Sequence, residues 1–150
     1  MQELYISPTL LIWSRGTACG SAYLLTMTYT YTIEGNPITK KNHQQILRGK
    51  NGRPFIMPSK QYKAYEKLFI SQITPPDEPI DYPVEVKCLY YLAKRVRGDL
   101  TNYLEATDDC LVAAKVLKDD NYKIIESHDG SRVLYDKERP RTEITIDHIQ

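Results

Sequence analysis

Acidic side chains on one predicted helix are the residues of this sequence whose spacing could support catalysis. A helix turns by about 100° per residue, so Asn102, Glu105 and Asp109 all fall within about 120° of Asp99 on one side of it. The other side carries the residues expected to be buried, of which four are apolar or aromatic and one is a threonine. These residues are Leu100, Tyr103, Leu104, Thr107 and Leu111. The spacing therefore predicts a helix that buries one face and gathers carboxylates on the other.

A second acidic pair, Asp119 and Asp120, comes just after this predicted helix. Carboxylate oxygens from separate elements can hold Mg²⁺, whose remaining positions are filled by water and substrate phosphate. Without a cation among them, clustered carboxylates repel one another and raise each other's pKa. Lys115 and Lys118 could supply that positive charge, and a charged outer face is usual for a surface helix. A metal site and a solvated acidic surface both stay open as interpretations.

Basic residues stand immediately before the acidic helix and in an earlier segment. Lys94, Arg95 and Arg97 favour the metal interpretation, because bases beside a carboxylate site can seat a phosphodiester. Residues 37–67 hold eight basic side chains against one acid. The net charge of +1 therefore hides a basic segment followed by an acidic one. The basic segment indicates either a polyanionic partner or a lysine-rich solvated surface.

The elements that must position these residues follow from hydrophobic periodicity and turn signals. Strands are predicted over residues 28–34, 55–57, 84–93, 122–127, 132–135 and 142–149, and helices over residues 60–73 and 100–116. Residues 38–53 are polar and contain glycine, so we expect a mobile loop there. After a turn at residues 128–131, the strand at 132–135 is expected to pair back. Ser59 is the expected N-cap of the first helix, whose buried face would comprise Tyr62, Tyr65, Leu68, Phe69 and Ile73.

Length and composition restrict the class of protein. A chain of 150 residues with 41% hydrophobic and 26% charged residues fits one globular α+β domain. No stretch approaches the roughly 18 apolar residues of a membrane span. The three cysteines lack CxxC spacing and the three histidines are scattered, which favours a reducing, cytoplasmic setting and argues against a zinc site. Residues 1–26 have no sustained period, so we expect an N-terminal extension to a domain of residues 27–150, with Met27 as a candidate alternative start.

The stretch from Arg97 to Glu105, followed by Asp109 and the pair Asp119 and Asp120, resembles the RusA family of Holliday junction resolvases. These crossover junction endodeoxyribonucleases are small, metal-dependent and often encoded by prophages. Their pattern is a basic run, an Asp-x-Asp-Asn motif, a helix with another acid, and a further Asp at the distance that separates Asp99 from Asp120 here, 21 positions. The resemblance spans about residues 27–149, including Ile33–Pro37 with Lys40 and Lys41, and Asp136–Arg141.

The resemblance implies a single small domain with a mixed β-sheet packed by two main helices. It implies a homodimer that resolves four-way DNA in recombination and repair by paired symmetric phosphodiester hydrolysis, using Mg²⁺ or, in its place, Mn²⁺. Asp99 and Asp120 would hold the metal, with Asp119, Asp109 or Glu105 as further ligands, and Asn102 would orient a ligand or the DNA backbone. The residues expected to contact DNA phosphates are Lys40, Lys41, Arg48, Lys50, Arg53, Lys94, Arg95 and Arg97. Weaker candidates are Lys137, Arg139 and Arg141, with which Glu138 and Glu143 could pair.

Two residues depart from the family pattern. Thr101 stands where many relatives have a second Asp, and Glu105 stands where many have a Lys. Because these two positions are about 40° apart on the helix, we hypothesise that Glu105 partly replaces the missing carboxylate, through a water molecule. Three rivals to a junction resolvase stay open, the first of which follows from the departure at Thr101. They are a catalytically weak or inactive branched-DNA-binding module, a nuclease for flaps or forks, and an unrelated protein that interacts through its acidic helix.

Overall fold

The computed structural model of the chain describes residues 27–40, 44–48 and 50–149, and the N-terminal extension predicted over residues 1–26 lies outside these ranges. No helix within the described ranges is long and apolar enough to span a membrane. The elements of these ranges, in chain order, are β1 (Thr28–Glu34), β2 (Gln44–Arg48), β3 (Pro54–Pro58), α1 (Lys60–Ser71), β4 (Val84–Leu92), α2 (Leu100–Ala113), β5 (Ile125–Ser127), β6 (Arg132–Tyr135) and β7 (Arg141–His148).

Strand β4 organises a mixed five-stranded sheet. On one side of β4 lies β7, antiparallel to it, and β1 pairs antiparallel with the far edge of β7. On the other side, β5 pairs in parallel with the first part of β4 and β6 pairs in parallel with its last part. Strands β2 and β3 form a separate antiparallel hairpin. The prediction of one small α+β domain with a mixed sheet and two helices is confirmed.

Both helices pack against the same face of this sheet. Alternate residues of β4 are buried, as the two-residue period of a strand requires, and these are Val84, Val86, Cys88, Tyr90 and Leu92. Tyr90 lies opposite Thr142 of β7. From α1, the hydroxyl of Tyr65 lies 3.4 Å from that of Thr142, and from α2 the hydroxyl of Thr107 lies 2.8 Å from that of Tyr90. The other face of the sheet therefore carries neither helix.

Helix α1 begins where the sequence predicts and ends two residues earlier. The hydroxyl oxygen of Ser59 accepts a hydrogen bond from the backbone N–H of Tyr62 at 3.1 Å, which confirms the N-cap. Tyr62, Tyr65 and Phe69 are buried as predicted, whereas Leu68 is 45% exposed. The three buried rings span about 60° of the helix, and Leu68 falls about 60° outside that stripe. Its prediction as a core residue is wrong for this reason.

Four other predicted elements differ from the structure. The segment 38–53 contains strand β2, which pairs with β3 through a turn where Gly52 has a φ of 71°. Helix α2 ends at Ala113 rather than near residue 116, and Lys115 then adopts a φ of 60°. Strand β6 does not pair back with the strand before it, because its register is with residues 89–92 of β4. Strand β5 is also shorter than predicted and begins at Ile125.

Candidate active site

Asp99 is the N-cap of α2, and its carboxylate is not used to cap the helix. An Asp at this position usually accepts a hydrogen bond from a backbone N–H of the first turn, but this side chain makes no such bond. The backbone carbonyl of Asp99 accepts a hydrogen bond from the N–H of Asn102 at 3.0 Å. The side chain is exposed at the positive end of the helix dipole. Asp99 therefore presents a carboxylate that can bind a cation.

Gly98 fixes the path of the chain into Asp99 by its close approach to an aromatic ring. A Cβ at Gly98 would lie 3.1 Å from both Cε2 and the hydroxyl oxygen of Tyr103, which is tighter than ordinary contact. The Tyr103 ring is buried and packs against Tyr90, with ring centroids 5.3 Å apart. Because this ring is held from behind, a side chain at Gly98 would displace the backbone that carries Asp99.

The sequence leads us to expect that Asp99 takes part in DNA cleavage, and on that expectation Gly98→Ala should lower the cleavage rate about tenfold, because small displacements of a reacting group slow a reaction strongly. The melting temperature should change little, since Gly98 is exposed and outside the helices. Adding Tyr103→Leu to Gly98→Ala should relieve the crowding and restore part of the rate. Cleavage rates of the single and double variants provide the measurement. A Gly98→Ala variant with the wild-type rate would show that this approach does not position Asp99.

The acidic face of α2 is bridged to the segment after β1 by an ion pair. Lys40 Nζ lies 2.9 Å from Asp109 Oδ2. This hydrogen bond raises the pKa of Lys40, and the charges of Glu105 and Glu66 raise it further. Lys118, which the sequence offered as a neutralising cation, pairs instead with Asp81. Asp109 is thus occupied by a base, and a DNA phosphate would have to compete with Asp109 for Lys40.

The two carboxylates after α2 have different environments. Asp119 accepts hydrogen bonds from the side-chain amide of Asn121 at 2.6 Å and from the backbone N–H of Asp120 at 2.8 Å. These bonds lower the pKa of Asp119, the bond from Asn121 most strongly. They also make Asp119 part of the turn itself. Asp120 is exposed, so of the two it is the better placed to bind an external ligand.

A buried pair, Asp108 and His128, lies beside the predicted site residues and was not predicted. Asp108 is only 9% exposed, and its Oδ2 lies 3.0 Å from Nε2 of His128. The other ring nitrogen of His128 lies 2.8 Å from the backbone oxygen of Val86. Burial raises the pKa of Asp108, and the hydrogen bond with His128 opposes that effect. The signal in the sequence was weak, since Asp108 falls at the border between the acidic and apolar faces of the helix.

The predicted basic residues lie on two parts of the structure. Lys94, Arg95 and Arg97 are exposed between β4 and α2. This run is tied at its start to the segment after β1, because the N–H of Ala93 donates to Asn36 Oδ1 at 2.9 Å. Arg48, Lys50 and Arg53 are exposed on the β2–β3 hairpin and its turn, and Lys41 lies outside the described residues.

The weaker basic candidates are largely paired within the chain. Arg141 contacts Glu143 at 2.7 Å, as the sequence suggested, and also Asp136 at 2.9 Å. Its guanidinium lies 3.7 Å from the centre of the Tyr91 ring. Arg139 pairs with Glu34 rather than with Glu138. Because Arg141 is engaged on three sides, it is a poor candidate for a DNA contact.

The donor chemistry of the site suits a hard divalent cation. Mg²⁺ is typically bound by one or two carboxylates, with water and substrate phosphate completing its shell. Asp99 and Asp120 offer exposed carboxylate oxygens of this kind, whereas Asp109 and Asp119 are hydrogen-bonded within the chain. Among the described residues, no three His, Cys, Asp or Glu side chains form a group that could hold a metal ion. Asp99 and Asp120 thus have the donor chemistry that such a cation binds, although the described residues gather no group of three ligands.

The fold and site define a small α+β domain in which a basic run leads directly into a helix with an exposed carboxylate at its start. This combination suits the backbone of a nucleic acid. The family model for Endodeoxyribonuclease RusA matches residues 34–147, which is most of the chain. The protein therefore belongs to the RusA family of endodeoxyribonucleases, which are hydrolases that cut DNA, and the resemblance drawn from the sequence is confirmed. No curated protein matches the chain.

Proposed function

We propose that this protein is a Mg²⁺-dependent endonuclease that resolves four-way DNA junctions by paired symmetric cuts. The observation that carries the proposal is the position of Asp99. Its carboxylate makes no capping bond, and it follows the exposed basic run 94–97 directly, in a chain of the RusA family. A phosphate held by the basic run would lie close to a carboxylate that can bind a cation.

The proposed roles follow from the environments of the carboxylates. Asp99 and Asp120 would hold Mg²⁺, or Mn²⁺ in its place, with Glu105 as a further ligand through water. A bound divalent ion supplies a Lewis acid for the phosphoryl oxygen and lowers the pKa of a water molecule. Asn102, half-buried on the first turn of α2, would orient the DNA backbone. Asp109 would hold Lys40 and Asp119 would shape the turn that carries Asp120.

The basic residues would bind the phosphates that flank the cut. Lys94, Arg95 and Arg97 lie next to Asp99 in the chain, and the hairpin residues Arg48, Lys50 and Arg53 would extend the contact along the DNA. Contacts of this kind position the backbone and carry little sequence information. We therefore propose that the branched shape of the DNA selects the substrate.

Two symmetric cuts require two active sites related by a two-fold axis, so we propose a homodimer. We also propose that residues 27–149 make up the nuclease domain and that residues 1–26 are an extension to it. Cys88 and Cys110 are free and buried, which agrees with a protein that acts on DNA in the cytoplasm.

The decisive experiment compares cleavage of a synthetic four-way junction, a flap, a replication fork and a linear duplex of the same sequences. With Mg²⁺ we expect paired nicks at symmetric positions in the junction, at least ten times faster than cleavage of the duplex, and none in the presence of a chelator. Faster cleavage of the flap or fork would identify a different nuclease. No binding to any of these DNAs would favour a protein that interacts through its acidic helix.

The second candidate is a branched-DNA-binding module with little or no activity. One observation favours it, namely that the described residues bring no three potential ligands together and that Thr101 replaces a family carboxylate. In the same assay this candidate predicts tight junction binding without nicking in either Mg²⁺ or Mn²⁺.

A further inference from the structure

We propose that His128 is a positioning residue for the carboxylate site, and that it acts through Asp108. The inference rests on the proposed nuclease function. His128 follows β5, whereas Asp108 lies in the second half of α2 and Val86 lies in the middle of β4. The imidazole contacts both of the other residues, at 3.0 Å and 2.8 Å. One side chain thus joins three elements at a point next to the acidic face of the helix.

The hydrogen-bond partners fix how this connection is made. The backbone oxygen of Val86 can only accept, so Nδ1 of His128 must donate to it. The contact between Nε2 and the carboxyl of Asp108 then contains one proton, carried either by the ring or by the acid. In both forms the pair has no net charge. His128 therefore keeps Asp108 from adding a negative charge to the carboxylates around it.

The pair is poorly explained as a device for stability alone. Buried ion pairs often stabilise a fold no better than apolar side chains of similar size. The other carboxyl oxygen, Asp108 Oδ1, is buried and has no hydrogen-bond partner among the described residues. A buried oxygen without a hydrogen-bond partner reduces the free energy of unfolding. Such an arrangement is more often found where a function requires it.

The location of Asp108 places the pair beside the carboxylates that it would position. Asp109, the next residue, holds Lys40, and the charge of Asp120 acts on Asp108 across the space between the two elements. Asp99 stands on α2, whereas Asp120 stands on the segment that leads from α2 into β5. Groups that bind one cation must be held within about 0.5 Å of their working geometry. By tying α2 to the residue that follows β5, His128 would maintain the separation of these two carboxylates.

The test uses four variants of the full chain. His128→Phe and Asp108→Leu remove the bond and keep much of the volume. His128→Asn keeps a donor in the place of Nδ1 for Val86 but cannot reach Asp108. Asp108→Asn keeps the bond, because its amide can donate to Nε2 while the ring still donates to Val86. His148→Asn is the matched control, since His148 packs against Tyr82 at the far end of β7.

Four quantities are measured for each variant: kcat and KM for the junction, Mn²⁺ affinity by electron paramagnetic resonance without DNA, and the melting temperature. We expect the three variants that break the bond to lower kcat and Mn²⁺ affinity about tenfold, as loss of a group that orients metal ligands typically does. KM should stay within about twofold of the wild-type value. Asp108→Asn should stay close to the wild type.

The outcomes separate this inference from the proposed function. If the wild type does not nick the junction, the proposed function fails. If the wild type nicks it and His128→Asn matches it in kcat and in Mn²⁺ affinity, only the role of His128 fails. A loss that follows the melting temperature across all the variants, Asp108→Asn included, would reduce the pair to a structural contact and overturn the inference. Should His128→Phe or Asp108→Leu not fold, the comparison of His128→Asn with Asp108→Asn decides.

Discussion

Replacing either Asp99 or Asp120 by asparagine is expected to lower junction cleavage at least about a hundredfold, because Asn keeps the volume and loses the charge that binds a cation. A divalent ion contributes several kcal/mol to phosphodiester hydrolysis, and each 1.4 kcal/mol corresponds to about a factor of ten in rate. Both side chains are exposed, so the substitutions should leave the fold intact. The measurement is the initial nicking rate of a labelled junction over a range of Mg²⁺ concentrations.

Junction affinity in the presence of a chelator separates loss of chemistry from loss of binding. It should be unchanged or slightly tighter in both variants, because a negative charge facing the DNA has been removed. Asp77→Asn is the matched control, since Asp77 is an exposed acid on the segment between α1 and β4. Cleavage at the wild-type rate by Asp99→Asn or Asp120→Asn would contradict the assignment of that carboxylate.

The same series extends to Glu105, which lies about one helical turn from Thr101 on α2. The charge of Glu105 raises the pKa of Lys40, whose ion-pair partner is Asp109. If Glu105 also replaces the family carboxylate that Thr101 lacks, Glu105→Gln should raise the Mg²⁺ concentration needed for half-maximal cleavage. Cleavage by Glu105→Gln with an unchanged Mg²⁺ dependence would show that Glu105 does not replace the missing carboxylate.

The parts of the fold that the sequence predicts correctly are those determined by neighbouring residues. The alternation along β4 is strict because one face of that strand is buried and the other is not. The start of α1 was predictable because Ser59 and the N–H that it accepts from are three residues apart. In both cases the periodicity or the cap is contained within one short segment.

The missed elements depend on partners that a local pattern does not reveal. Strand β2 belongs to a hairpin outside the main sheet, and its sequence, Gln-Gln-Ile-Leu-Arg, has no two-residue alternation of polar and apolar residues that would mark it as a strand. Strand β6 follows a turn that suggests a hairpin, yet its partner is β4, which lies about forty residues earlier in the chain. Strands that follow one another in the chain usually pair with each other. Here β5 pairs with only the first part of β4, and β6 pairs with the last part of the same edge of β4.

The site residues divide in the same way, into those predictable from one short segment and those that depend on distant partners. Asp99 and Asp120 could be selected from their types and spacing, and both are exposed carboxylates in the structure. The pairing of Lys40 with Asp109 joins residues 69 positions apart, so it could not be read from either segment. Asp108 was not predicted as a site residue for a related reason. Its hydrogen-bond partner is His128, which lies 20 positions later in the chain.

Neutralising the basic run before Asp99 is expected to have the second large effect. A variant with Lys94→Gln, Arg95→Gln and Arg97→Gln should bind the junction at least ten times more weakly at about 0.15 M salt, because each base that contacts a phosphate releases counterions. The slope of log affinity against log salt should fall by up to about 2.7, since each lost phosphate contact contributes about 0.9. Binding titrations at several salt concentrations in a chelator give both quantities.

Lys87→Gln provides the matched control for this triple variant. Lys87 is an exposed base on β4, and it lies between two buried residues, so it points to the sheet face opposite α2. Its replacement should leave the salt slope unchanged. Arg95 also lies 5.0 Å from the centre of the Tyr135 ring, so a separate Arg95→Gln variant tests whether that contact affects the melting temperature. An unchanged salt slope in the triple variant would mean that DNA does not reach residues 94–97, and the link between the basic run and Asp99 would then no longer support a nuclease site at this end of α2.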